Sequence, residues 1–380
     1  MHSLPLEKKT VRYWMSFLKE HLHTVMFIIV YSSFFLYASL GHISAIEMPF
    51  RYLRYLAAPL LAVLIVQGLK NVTKQTVCIL IFIAALGILS KDANLIKIVI
   101  LSLAAVGEDL RACIKFECKL RAAVIAGVVI LYYLGIAPDM YAWGNGEIRH
   151  SMGFTNPNAF GLAVTILCME FLYLRGMKIN AAETIAILLL CKYVDVCSKS
   201  RTSILVILMS LVLAILNTML PKVFKNVKAA ACIPMLPAIC GATTLLLIFL
   251  FSLGNGLAVR INAFISGRLA FPIVYLQECP ISLFGMDTSA IGVTIDNAYI
   301  YTWITWGLIG FVFFVAVQTY MLKRCIAMDE IALLLVFICF TIFGLSERLW
   351  MNIDYNIFVL AYSKIILEEG CIESEKKNAY

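Results

Sequence analysis

Apolar runs recur along the whole chain, at about 21–40, 52–69, 75–90, 94–107, 121–137, 159–174, 179–197, 202–220, 230–253, 297–321, 330–346 and 353–367, and polar positions collect between them. Most reach the roughly 20 residues that a membrane-spanning helix needs, and the alternating segments of about 10 residues that mark a transmembrane barrel are absent. The pattern predicts an all-α fold: a polytopic membrane helical bundle of about twelve transmembrane helices, forming a single integral membrane domain over 1–380. The third and fourth runs, separated only by Lys91-Asp92-Ala93-Asn94, are short enough to form one hairpin or a re-entrant pair.

Composition removes the soluble alternative. The chain is 62% hydrophobic and only 14% charged, with mean hydropathy +0.91, whereas soluble domains carry about 25% charged residues. Alternate threading from a cytoplasmic N-terminus places Arg51, Arg54, Lys91, Lys97, Arg149, Lys192, Lys199, Arg201, Arg260, Arg268 and Arg348 on the outer face. That leaves 20 of the 31 Lys and Arg on the cytoplasmic side, a positive-inside bias that predicts both termini to be cytoplasmic. The net charge of +8 then reports topology and calls for no nucleic-acid partner. No small-residue cleavage site follows the first run, which reads as a retained span. The 12 Cys show neither CxxC nor zinc spacing and read as small apolar filler. Asn71-Val72-Thr73 matches a glycosylation sequon by chance, on the expected cytoplasmic side.

Two outer segments exceed what a tight turn requires, 138–158 and 254–296. Long ordered connections of this kind commonly carry function, and these are the expected extracytoplasmic active-site loops. In the second, apolar positions from Leu257 to Leu276 have helical spacing, which predicts a short extracytoplasmic helix over the bundle mouth. Arg260 and Arg268, eight residues apart, would lie about 80° apart around it and point to one side.

Four polar clusters map to this face. Asn156-Pro157-Asn158 precedes an apolar run, with an N-cap residue and Pro at the first helical position, so free amide N–H groups should point outward there. Such a terminus attracts phosphate, and Arg149 upstream can add a bidentate contact; a plain cap with a headgroup-resting Arg is the alternative. Ser198-Lys199-Ser200-Arg201-Thr202-Ser203 forms a cationic turn. Ser266-Gly267-Arg268, with Pro280 and Phe284-Gly285, leads to Asp296-Asn297-Ala298-Tyr299. Ser346-Glu347-Arg348 is the fourth. Independent surface turns have no reason to share one side, and their coincidence points to a site for an anion.

In this order the motifs Arg-x-Ser-Met-Gly-Phe-x-Asn-Pro-Asn-x-Phe-Gly, Ser-Arg-Thr, Ser-Gly-Arg with a trailing Phe-Gly, and Asp-Asn-x-Tyr with Gly307 beyond, over about 149–310, resemble the Wzy-type polysaccharide repeat-unit polymerases, in the group that includes the O-antigen ligases. The resemblance implies a metal-independent glycosyltransferase without cofactor in the bacterial cytoplasmic membrane. It would polymerise undecaprenyl-diphosphate-linked oligosaccharide repeat units on the outer face into capsular, exo- or O-polysaccharide, with membrane lipid, a flippase and a chain-length regulator as implied partners. Arg149, Arg201 and Arg268, helped by Asn156 and Asn158, would bind diphosphate; Arg260, Arg348 and Tyr299 are secondary candidates. The candidate general bases are His150, Asp296 and Glu347, of which Asp296 matches the family motif. Phe271 stands where relatives often carry Trp. A ligase would use the same face to transfer finished polymer. The competing class is a flippase or other transporter, which should hold charged residues at mid-membrane; here Glu170, Glu183 and Lys97 are the few such residues inside the proposed spans.

Overall fold

The computed structural model describes residues 6–144, 147–220, 229–265, 267–278, 282–288, 295–362 and 364–365. Ser266, Pro280, Lys222, Lys225, Lys228, Lys376 and Lys377, which entered the motif and charge arguments, lie outside the described residues. The chain is built from helices with one small hairpin: α1 Leu6–Leu40, α2 Glu47–Lys70, α3 Lys74–Leu89, α4 Ala93–Ala104, α5 Leu110–Tyr133, β1 Ala142–Gly144, β2 Glu147–Arg149, α6 Pro157–Leu174, α7 Ala181–Cys197 and α8 Arg201–Met219. A 3-10 turn over Ala229–Met235 then leads into α9 Leu236–Ser252, α10 Gly256–Phe264, α11 Ala270–Glu278, α12 Ala298–Thr305, α13 Gly307–Ala327 and α14 Ile331–Phe343.

Side-chain caps decide where many of these helices start. Thr73, Asp92, Asp109, Asn156, Asn180, Asn255 and Asn297 each accept a backbone N–H one to three residues into the helix, which satisfies donors that a helix N-terminus otherwise leaves orphaned. Asn180 and Glu183 form a reciprocal capping box, and Thr73 of the sequon is simply the cap of α3.

Lipid-facing surface is evident from the apolar side chains left outside. Leu56, Val66, Ile81, Ile88, Ile130, Leu189, Val212, Leu246 and Phe249 are all exposed, and a surface of that kind belongs against a membrane. Among the described residues six helices are long and apolar enough to cross one: Leu22–Leu40 of α1, α2, α6, α8, Cys232–Ser252 and α13. By contrast α14 buries Leu333 to Phe337 as well as Cys339, Phe340 and Phe343. A helix apolar on every side belongs in the centre, and α14 is the core post beside α6 and α8.

The even spacing of about twelve spans needs correction. The shorter apolar helices are α3, α4 and α14, and α5 begins at Leu110 instead of 121, so Glu117 and Arg121 lie within the bundle and not at its edge. The run at 353–367 is no spanning helix in its described part: after a 3-10 turn at Leu349–Met351, it holds another at Ile357–Val359 and a single helical turn at Leu360–Tyr362. The single helix expected from Leu257 to Leu276 is α10 and α11, interrupted around Gly267 at φ +83°.

The run at 297–321 is also broken. In one continuous helix Tyr299 and Phe314 would stand about 22 Å apart, yet their rings meet at 5.8 Å. The chain turns at Trp306-Gly307, and α12 folds back against the start of α13. Gly307 (φ +76°) and Gly285 (φ +81°) make this possible. A Cβ on Gly285 would lie 1.9 Å from the Thr305 carbonyl oxygen, and one on Gly307 2.3 Å from the Gly285 nitrogen. The backbone of 282–286 therefore runs directly over the turn, where Met286 N–H donates to Thr305 and Leu308 N–H to Ser282.

Helix ends sort into two sets. At one end His42 donates to the Gly153 carbonyl at 2.7 Å, Arg149 to Ser198, Lys91 pairs with Asp287, and Lys97 with Asp354. At the other, His23 meets Glu108, Arg111 donates to the Leu174 carbonyl, and Asn217 to Met177. The four polar clusters share the first end, where Arg149 reaches Ser198 and Arg268 reaches Asp296 and Glu347.

Candidate anion cavity

A cavity of about 860 Å³ opens at that end. Five cationic side chains (Arg149, Lys192, Lys199, Arg201 and Arg268) and three carboxylates (Glu147, Asp195 and Asp296) line it, with Asn158 among them. The positive excess selects for anions. The rest of the wall is apolar: Leu205 and Val206 lie one turn into α8 from Arg201, and Val196, Ile265, Phe271, Ile342, Phe343 and Leu345 complete it. The space is therefore amphipathic, with a cationic rim and an aliphatic flank.

Each arginine is set by a different element. The strands β1 and β2 pair antiparallel with Trp143 opposite Ile148. Alternation along a strand puts these two on one face and Arg149 on the other. Arg149 Nε donates to the Ser198 carbonyl at 2.9 Å and its Nη2 to Asn158 Oδ1, so one side chain ties the hairpin, the α7–α8 turn and the first turn of α6 together. Burial, then the neighbouring charges of Arg268 and Arg201, push the Arg149 guanidinium below its ordinary value. Three guanidinium groups close enough to oppose one another's charge are what a polyanion would relieve. Arg201 is the first residue of α8 and is exposed to the cavity.

Arg268 is the most enclosed of the three, its side chain 10% exposed. The loop between α10 and α11 fixes it: Asn262 accepts the N–H of Leu269 at 2.9 Å, and its carbonyl accepts that of Gly267 at 2.8 Å. The guanidinium donates to the Ser346 carbonyl at 2.7 Å and to Glu347 Oε1 at 2.9 Å, and stands 3.4 Å from Asp296. Burial pushes the Glu347 carboxyl up to about 7; Arg268 opposes that shift and Asp296 adds to it. Asp296 faces the cavity, and Glu347 holds Arg268 from the side of the α14 terminus.

Other candidates lie elsewhere. Asn156 caps α6 by accepting the Ala159 N–H at 2.9 Å. His150 pairs through Nδ1 with Asp139 Oδ2 at 2.5 Å and does not line the cavity. Burial alone would raise the Asp139 carboxyl, but hydrogen bonds from His150 and Ser151 hold it below the usual range. Tyr299 is core: it is 1% exposed and its hydroxyl donates to the Thr341 carbonyl at 3.0 Å. It takes no part in the cavity, because α12 folds inward. Arg348 stacks on Tyr301 at 4.6 Å, and Tyr301 and Trp306 both donate to Asp92 at 2.8 Å. Arg260 is exposed on α10, away from the cavity, because the helix that would have aligned it with Arg268 is interrupted.

Sequence reasoning missed Lys192, Asp195 and Glu147 as cavity residues. Lys192 and Asp195 sit one to two turns before Ser198 on α7 and pair with each other at 2.9 Å; helical periodicity from the Ser-Lys-Ser-Arg turn was the signal for them. Glu147 pairs with Lys199 across the rim. Among the described residues no group of three His, Cys, Asp or Glu is placed to hold a metal ion. No family model, curated protein or solved structure matches the chain.

Proposed function

We propose that the chain is a glycosyltransferase working at the outer face of the bacterial cytoplasmic membrane, polymerising undecaprenyl-diphosphate-linked oligosaccharide repeat units. The observation that supports this most is the meeting of Arg149, Arg201 and Arg268 on one cavity with Asp296 beside Arg268. A polyprenyl diphosphate ligand has a charged junction between sugar and lipid, and the cationic rim beside an apolar flank suits both halves.

In this reading the acceptor hydroxyl attacks the anomeric carbon of the growing chain, the glycosyl–phosphate C–O bond breaks, and undecaprenyl diphosphate leaves with the bonding pair. Arg149, Arg201 and Arg268 stabilise the charge that develops on the leaving diphosphate. Asp296 takes the hydroxyl proton as general base, a role that its cavity-facing carboxylate suits better than the enclosed Glu347 or the Asp139-paired His150. Glu347 positions Arg268. A flippase that delivers the lipid-linked unit and a chain-length regulator are protein partners that would fit this activity.

The test is the size distribution of surface polysaccharide in the native host after deletion of the gene, with complementation by the wild type and by Asp296→Asn. Loss of long chains while single units still reach the outer face, rescued by the wild type alone, supports polymerisation. Long polymer that remains unattached means ligation. Lipid-linked units trapped inside mean transport, a reading that the buried charges on α5 and α6 would then explain.

A further inference from the structure

Away from the cavity, three ionisable side chains lie inside the bundle. Glu117 and Arg121 on α5 and Glu170 on α6 have side-chain exposures of 0%, 1% and 0%. Glu170 is four residues from the end of α6 farther from the cavity, about 6 Å along the helix. Arg121 Nε donates to Glu170 Oε1 at 3.0 Å and Nη2 to Glu117 Oε1. Its guanidinium also stacks against Phe35 of α1 at 4.8 Å and Tyr355 at 5.3 Å.

The charges do not balance. Two carboxylates and one guanidinium leave a net charge of −1 where water is excluded, and an unpaired buried charge is strongly unfavourable. The second oxygen of each carboxylate, Glu117 Oε2 and Glu170 Oε2, is buried without a hydrogen-bond partner, as is Arg121 Nη1; the two carboxyl groups are close enough to hydrogen-bond to one another, and the Tyr31 hydroxyl is within reach of Glu117. One proton between them would satisfy both oxygens and remove the excess charge. Adjacent carboxylates that cannot both ionise behave in this way. A metal cation fits less well, since the guanidinium already occupies the space between the carboxylates and repels it.

We infer that Glu117, Arg121 and Glu170 form a buried proton-binding site, in which the two carboxyl groups share one proton at neutral pH. The other titratable groups facing it include Tyr31 from α1, Cys113 and Cys118 from α5, Cys168 from α6 and Tyr355 from the C-terminal segment. The site connects to the cavity through that segment. Arg121 Nη2 donates to the Tyr355 carbonyl at 2.7 Å, and the Tyr355 hydroxyl donates to the carbonyl of Ala159 at 3.2 Å, next to the Asn158 that holds Arg149. The proton thus keeps the brace behind the arginine cluster electrically neutral.

Infrared difference spectroscopy of the purified full chain in lipid tests this, in a Glu347→Gln background because burial pushes the Glu347 carboxyl up to about 7, where it would add its own acid band. The expected result is a protonated-carboxyl C=O band at pH 7.5 that is lost or shifted in Glu117→Gln and in Glu170→Gln. Thermal melting supplies a second readout. Gln mimics a protonated Glu, so at least one single replacement is expected to melt near the parent protein, while Glu117→Gln/Glu170→Gln strands Arg121 and melts far lower. Absence of the band at neutral pH, a band unchanged by both replacements, or a double variant as stable as the parent would each overturn the assignment. So would a melting temperature that rises with sodium in place of an acid band.

Discussion

Replacing Arg268 by Ala removes the one cation that three acceptors share. The guanidinium is nine-tenths enclosed and serves the Ser346 carbonyl at 2.7 Å, Glu347 at 2.9 Å and Asp296 at 3.4 Å. Removing one partner of a buried ion pair costs about 3–5 kcal/mol, and Glu347 recovers part of that by taking up a proton. The expected loss of stability at pH 8 is therefore roughly 3 kcal/mol. Arg268→Ala/Glu347→Gln no longer holds a stranded carboxylate beside the gap, and a coupling of about 2 kcal/mol should return. Activity should not follow. If Arg268 contacts a diphosphate, the contact is charge-assisted and contributes about 1.5–3 kcal/mol, so chain extension should fall roughly 10- to 100-fold in both variants. Melting temperature in detergent and chain extension on lipid-linked repeat units measure the two effects separately. Extension restored together with stability in the double variant would refute an anion-binding role and leave Arg268 as a brace.

The Glu347 carboxyl makes stability depend on pH. Its folded value, about 7, lies above its ordinary one, so the folded state holds the proton longer; stability is highest below about 4.5, falls as pH rises toward 7 and levels off above. Melting curves across this range should lose that slope in Glu347→Gln, and an unchanged slope would assign it to other groups. Gly307→Ala and Gly285→Ala place a Cβ within 2.3 Å and 1.9 Å of backbone atoms at positive φ; each should cost more than about 3 kcal/mol, and wild-type melting of either would show that the crossing is looser than described. Asn156→Ala should cost about 1 kcal/mol through the lost cap and leave chain extension nearly intact, since this side chain holds the helix and not the cavity; a large loss of extension at preserved stability would give Asn156 a direct part in binding.

Helix existence and the gathering of Arg149, Arg201 and Arg268 were legible because apolar runs and caps are local signals, and alternate threading converts them into sides of a membrane. The breaks were not. Apolar residues continue straight through Trp306-Gly307, and only the backbone of Gly285 crossing above the turn, a contact between distant parts of the chain, makes the fold-back necessary. The burial of Arg121 was hidden for the opposite reason. A run of charged residues at 115–121 reads as a helix end, and the partner that permits it to enter the bundle, Glu170, is 49 residues away. Tyr299 and Arg260 were misplaced by the same two breaks, which redirect side chains that a continuous helix would have carried to the rim.

The apolar flank beside the cationic rim changes what concentration means for this cavity. On the proposed reading a polyprenyl tail would lie along Leu205 and Phe271, exposed apolar residues of the lining, and would not have to leave hydrocarbon when the headgroup docks. Encounter is then a search in two dimensions. Occupancy follows the mole fraction of ligand among lipids and not its amount per volume, and adding inert lipid or detergent at constant ligand should slow turnover by surface dilution alone.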